Sequence, residues 1–399
     1  MTNLARSQSD QAPRPSLGEL IKRSADLKRQ LADYVQGPCC ARHLAAALLE
    51  AESDHGLDDA GVISVIDRFA LQHRLPDGRT PVERFTASCP DLSAIEQEML
   101  LGWQDAVEGA FEIQAKDGDA VRLLNLLDDF EYQTYSNVGR KAFRSMAKGD
   151  FIIGRLVPIA PHPGCWLVSG SLAYCRKSDS PRIAQIALQM ATKHPELVFR
   201  NPEKIAQGWE QMHREREAFV TYFGSDQVVL PPSEAENRIS AFHQHLWQTT
   251  RAEAGKHDPT EPFPQQLSFQ LPEYLADADT VGIVYDSVEG MNLYRNWGLL
   301  DALFTAPTLA ASQRHADLLR SYVRDTSISP LPFQRMAAAH PTTVDTVISK
   351  VLRKPGFSWA QHGEAWLRRR KADYFEREPR PNVSVIGDRL AELAATSRF

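Results

Sequence analysis

Apolar positions recur every three to four residues through the first hundred positions, switch to alternation over 107–175, and return to helical spacing for most of the remainder. Residues 16–36 place Leu17, Leu20, Ile21, Leu27, Leu31 and Val35 on one stripe behind a Ser16–Glu19 capping box, which predicts a helix. Helical spacing continues over Arg42–Ala51, Asp58–His73 and Pro81–Ala87, and a second capping box, Ser93–Glu96, opens Ala94–Gln104. Phe111, Ile113 and Ala115 then alternate with Glu112 and Gln114, the mark of a half-buried strand. Strand-like runs at Gly109–Ala115, Val121–Leu126, Phe130–Tyr135, Phe151–Pro158 and Cys165–Cys175 follow one another, with turns such as Asp117–Gly118 between them. Gly170 interrupts the last run and marks a bulge or a close approach. Five short strands in succession predict a small curved antiparallel sheet or partial β-barrel.

Downstream, Ser180–His194 is helical, and Asn201 before Pro202 starts a helix that runs to Phe223 and stops at Gly224. Further helices are predicted over Ser233–Ala254, Leu299–Phe304, Thr308–Val323, Leu331–His340, Thr343–Leu352, Trp359–Arg370 and Asp388–Ala395. Gln227–Leu230, Thr280–Asp286 and Pro381–Gly387 read as strands. The fold class is therefore α+β and mostly helical, with the small sheet inserted after an N-terminal helical region. The expected order is a disordered tail (1–15), a helical domain (16–104), a β module (105–178) and a helical segment (179–256). A Pro-rich linker (257–270) and a mainly helical C-terminal domain (271–399) complete it.

Composition narrows the class. With 399 residues, 43% apolar and 24% charged, two or three domains with ample core are expected. The chain has no run of about 18 apolar residues, so no membrane span is predicted. The polar N-terminus has no apolar segment of a secretory signal. Five cysteines, an odd number without CxxC spacing, read as free thiols, which points to a cytoplasmic protein with no metal site. The net charge of −6 is unevenly spread: −4 over 1–104, zero over 105–178, −6 over 179–280 and +4 over 281–399.

Candidate chemistry is sparse. Tyr285–Gly298 is expected to join a strand to a helix, a place where α/β folds hold ligands. In it Asp286 and Glu289 are candidate acid and base with Arg295, and Asn292, Tyr294 and Trp297 are candidate ligand contacts. As a plain structural loop, the same residues would cap a turn and fill core. His243 and His245, two apart on a helix, point to different sides and cannot share a metal ion. Arg368, Arg369, Arg370 and Lys371, with Tyr374 and Phe375 nearby, could grip phosphates and bases, or simply form a solvated helix end. Ser169 lacks a nucleophile elbow and is set aside as a nucleophile. No cofactor is implied.

The order of three motifs adds a resemblance: Leu124–Asp128, Lys148–Pro158 (KGDFIIGRLVP) and Gly164–Gly170 (GCWLVSG), followed by Tyr222–Pro231. Over roughly 60–250 the chain resembles a β module of uncharacterised bacterial proteins, some of which carry a C-terminal SEC-C zinc motif. The Cys-rich SEC-C tail is absent here, so the resemblance implies architecture and no zinc. The leading functional reading is a non-catalytic binding or regulatory module. Its partner would be a protein, or less favourably nucleic acid through the basic C-terminal region. The alternative is a hydrolase using the Asp286–Trp297 loop.

Overall fold

The computed structural model describes residues 15–56, 58–253, 255, 263–264 and 268–396. Five helices come first: α1 (Leu17–Gln36), α2 (Ala41–His55), α3 (Asp59–Gln72), α4 (Pro81–Ser88) and α5 (Ala94–Gly102). Strands β1 (Val107–Asp117), β2 (Ala120–Asn125), β3 (Glu131–Tyr135), β4 (Phe151–Pro158) and β5 (Cys165–Cys175) follow. Next come α6 (Ser180–Lys193), α7 (Pro195–Val198), α8 (Pro202–Phe223), β6 (Gln227–Leu230), α9 (Pro232–Glu253) and α10 (Glu273–Ala276). The chain then forms the hairpin β7 (Val281–Asp286) and β8 (Gly290–Arg295), and helices α11 (Trp297–Thr305), α12 (Gln313–Arg324) and α13 (Leu331–Ala339). It ends in α14 (Val344–Val351), α15 (Trp359–Arg370), α16 (Ala372–Glu376) and α17 (Asp388–Thr396). The fold is α+β and mostly helical. Among the described residues, no helix is long and apolar enough to cross a membrane.

The chain forms two compact units, one running to Lys204 and resuming at Ser384, the other Ile205–Val383. The division falls in the first turn of α8. The N-terminal helices, the β module, α6, α7 and α17 thus share one unit, where the sequence suggests separate segments. The tail, apart from its last residue, and most of the linker lie outside the described residues.

In the first unit β1 pairs antiparallel with β2 and β4, β2 with β3, and β4 with β5. β3 runs parallel to β5, Gln133–Tyr135 against Cys165–Leu167, closing a barrel in the order β1-β2-β3-β5-β4. The expected small curved antiparallel sheet or partial β-barrel is a closed barrel, antiparallel except for the one pairing of β3 with β5. Closure leaves no unpaired edge. The result is a small closed barrel of five strands. Val107, Phe111, Ile113, Leu123, Tyr132 and Ile152 fill its interior, as the alternation requires. On the outside, Val157, Ile159 and Leu167 of β4–β5 join a core with Leu27, Phe69 and Trp103 from the N-terminal helical region. The outer face of β1 is held by α17, where both Arg389 arms donate to Glu112 at 2.7 Å. Gly170 has φ +67° and lies against Asp67, at a register shift between β4 and β5.

The second unit is a three-stranded antiparallel sheet, β6-β7-β8, covered on both faces. Ile283 and Tyr285 pack with Met212, Phe219, Ile239 and Phe242 of α8 and α9. Val284 and Tyr294 pack with Trp297, Leu300 and Tyr322 from the C-terminal helices. Gly282 sits under Trp297, whose Cβ would lie 2.5 Å from a Cβ placed on the glycine. Pro381–Gly387 forms no strand. Pro379 and Pro381 supply no ladder donors, and the Asn382 amide donates to the Glu289 carbonyl instead, at 3.2 Å.

Candidate functional site

The loop expected over Tyr285–Gly298 is a β-hairpin. Asp286 faces Gly290 at its turn and Val281 faces Arg295 at its other end. At about 3.4 Å per residue, these ends lie about 17 Å apart, so the expected convergence of Asp286 and Glu289 with Arg295 does not occur. Arg295 donates instead to Asp277 and to the Tyr274 carbonyl, both at 2.9 Å. Asp286 caps its own turn, accepting from the Val288 and Glu289 amides at 2.8 and 3.1 Å, and lies 3.7 Å from Arg335. Burial raises the Glu289 carboxyl above its ordinary range, against hydrogen bonds from Ser329 and Tyr374 that lower it. Asn292 turns back on the Glu289 and Gly290 carbonyls, each at 3.4 Å. Tyr294 and Trp297 are buried in the core, which corrects their reading as ligand contacts.

The basic run at the end of α15 divides. Lys371 is buried, and its Nζ donates to the Tyr322 and Asp325 carbonyls at the end of α12. Burial lowers its ammonium to about 8, with Asp325 opposing. It is a cap for orphan helix carbonyls, not an anion contact. Arg368 pairs with Glu364 at 3.0 Å and lies over the Phe375 ring. Only Arg369 and Arg370 remain exposed and without an ion pair among the described residues.

Ser169 lies in a buried charged cluster. Its hydroxyl donates to Asp67 at 2.7 Å and accepts from the Lys28 ammonium. Arg155 bridges Asp67 at 3.0 Å and Glu108 at 2.7 Å, and Glu108 also takes Arg68 at 2.7 Å. A hydrogen-bonded Ser–Lys pair is a nucleophile–base arrangement. Ser169 is, however, only 1% exposed, so no substrate reaches it. The cluster ties α1 and α3 to the barrel.

A group of unpaired cations lies on the loop joining β3 to β4, which sequence reading passed over. Residues 136–149 hold Arg140, Lys141, Arg144 and Lys148 and no carboxylate. Phe143 and Met146 anchor the loop in the barrel core. The Gly149 amide donates to the Ile113 carbonyl, and the Ile113 amide to Asp150, both at 2.8 Å. The four cations are exposed, and none has an ion pair among the described residues. Lys116 joins them, its Nζ 3.3 Å from the Arg144 carbonyl. Val138, 68% exposed, lies on the loop, and Tyr174, 38% exposed, donates to Asp150 at 2.6 Å where the loop enters β4. On β2 and β3, by contrast, Arg122 and Glu131 face each other at 3.6 Å. Among the described residues, no three His, Cys, Asp or Glu side chains gather as a metal site.

No protein-family model, curated protein or solved structure matches the chain. The resemblance over 60–250 therefore rests on its motifs alone.

Proposed function

We propose that the protein is a non-catalytic binding module that holds single-stranded nucleic acid on the basic β3–β4 loop of its barrel. The observation that carries this reading is the set of four exposed cations on 136–149, which also holds exposed Val138 and has no ion pair among the described residues. Cations already neutralised within the protein cannot displace the counterions condensed on phosphates, whereas these can. Five-stranded barrels such as the OB-fold bind oligonucleotides on the face of their second and third strands and the loops after the first and fourth, and here Lys116, beside the β1–β2 turn, reaches the Arg144 carbonyl of the basic loop. The rigid attachment of the loop, through Phe143, Met146 and the Gly149 amide, holds the cations in place before binding. The hydrolase reading draws no support from the hairpin, where Arg295 stands apart from the two carboxylates.

Fluorescence anisotropy with labelled single-stranded DNA and RNA 15-mers, titrated across salt, tests this. Four phosphate contacts give a slope of log K against log salt of roughly −2.8 for single strands. Replacing all four cations with alanine is expected to remove most of the binding and most of the slope. Undiminished binding by that variant, or none by the native chain at low salt, would refute the proposal. Poly-glutamate that competes while both oligonucleotides fail would move the reading to an acidic protein partner.

A further inference from the structure

A cleft of about 160 Å³ opens in the second unit between α8, α9 and the β7–β8 hairpin. Tyr285 and Met291, opposite one another across the hairpin, form one wall. Phe242 and His243 of α9 form another, with Glu215 of α8 and Asn382 at the rim. Tyr285 and Phe242 are almost fully buried, so the floor is apolar and aromatic.

Of its polar groups, Glu215 and Asn382 leave acceptors unused, and His243 adds an imidazole that can donate or accept. Glu215 accepts from the Gln211 amide at 2.8 Å through one oxygen and from the Tyr285 hydroxyl at 3.1 Å through the other. A carboxylate has about four lone-pair positions, so about two remain. Glu215 has no ion pair among the described residues, although it is half-buried. Arg216, its chain neighbour, is committed to Asp226 at 2.9 Å and to the Tyr285 carbonyl at 3.1 Å. Asn382 spends one N–H on the Glu289 carbonyl, which leaves its side-chain oxygen as an acceptor beside a second N–H. A half-buried carboxylate without a cation, above aromatic rings, lacks one component.

The geometry points to a binding site for a small organic cation, a primary ammonium on a short aliphatic chain. The ammonium meets the free lone pairs of Glu215 and the Asn382 oxygen. The alkyl chain lies along Phe242, Tyr285 and Met291. The volume is below that of drug-sized pockets, which limits the ligand to a handful of heavy atoms. Three N–H donors suit the acceptors better than a planar guanidinium fork does.

Isothermal titration with n-pentylamine, putrescine, 1-pentanol and pentanoate, supported by thermal-shift measurements on the full chain, tests the site. The amines are expected to bind with one-to-one stoichiometry and raise the melting temperature, while the isosteric alcohol and the carboxylate do not. Glu215→Gln keeps the size and can still accept from Tyr285, and is expected to weaken amine binding at least tenfold. Its unliganded melting temperature and circular dichroism establish that it is folded. If it fails to fold, Met291→Ala, at the wall, is expected to weaken pentylamine more than methylamine. Absence of amine binding at 10 mM, equal binding of pentanol, or unchanged affinity in Glu215→Gln would each overturn the assignment. The site lies in the other unit from the basic loop, so nucleic-acid binding by native protein is unaffected by either result.

Discussion

Lys28→Met tests whether the buried cluster at Ser169 is an electrostatic cost or a source of stability. The Lys28 side chain is 18% exposed, and burial lowers its ammonium to about 8, with Asp67 opposing and Arg155 reinforcing. An unfolded lysine titrates near 10.4. Between these values the unfolded chain binds the extra proton, so stability rises with pH across pH 8–10.4 and the burial cost is fully present below pH 8. At about 1.36 kcal/mol per pH unit the ceiling is about 3 kcal/mol. Partial water access brings it to about 2 kcal/mol. Methionine removes that cost, together with the hydrogen bond to Ser169 and the contact over the Trp103 ring at 5.2 Å. Those losses come to about 1 kcal/mol. The variant is therefore expected to be about 1 kcal/mol more stable than the native chain at pH 7, and about 1 kcal/mol less stable at pH 10.5. Urea denaturation followed by circular dichroism at both pH values measures the difference, in which other titrating groups cancel. A variant that is less stable by 2 kcal/mol or more at pH 7, with no dependence on pH, would show that the Lys28 charge stabilises the cluster.

Two further changes probe the packing. Arg155→Met leaves Asp67 and Glu108 without their shared partner and is expected to destabilise the first unit by about 3–5 kcal/mol, read as a lower urea midpoint. Gly282→Ala drives a methyl group into Trp297 and is expected to cost about 1–3 kcal/mol in the second unit, with altered tryptophan fluorescence.

The barrel strands are legible because one buried face imposes a period of two, and the helices because their stripes and capping boxes are local. β8 is not. Its Met291-Asn292-Leu293-Tyr294-Arg295 has no β-branched residue, and both faces are partly buried, so alternation carries no polar–apolar contrast. Without the strand, Asp286, Glu289 and Arg295 read as one loop, although pairing sends them to opposite ends. Lys371 shows the converse. It follows Leu367 by one helical turn, and that spacing marks the buried face more truly than the charge run it completes. The Ser169 cluster joins residues 102 and 141 positions apart, beyond any local pattern. The basic loop was masked by averaging, because nine cations and nine carboxylates over 105–178 cancel while four of the cations stand together.

The cations of the first unit differ in what faces them. Where the barrel meets helices, Arg155 and Arg68 share Glu108, and Arg389 takes both oxygens of Glu112. Where β2 and β3 are open, Arg122 is offset by Glu131. At each of these three places the protein supplies its own carboxylate. The β3–β4 loop does not, although Phe143 and Met146 hold it as firmly as the rest. An unpaired cation on a mobile loop carries no pattern. Four of them on one anchored loop, with no carboxylate within it, are on the proposed reading left for an anionic partner. A chain of phosphates lying across them would supply the missing charge. This is why the four-alanine variant is expected to lose binding without losing stability, an outcome that plain surface charge does not give.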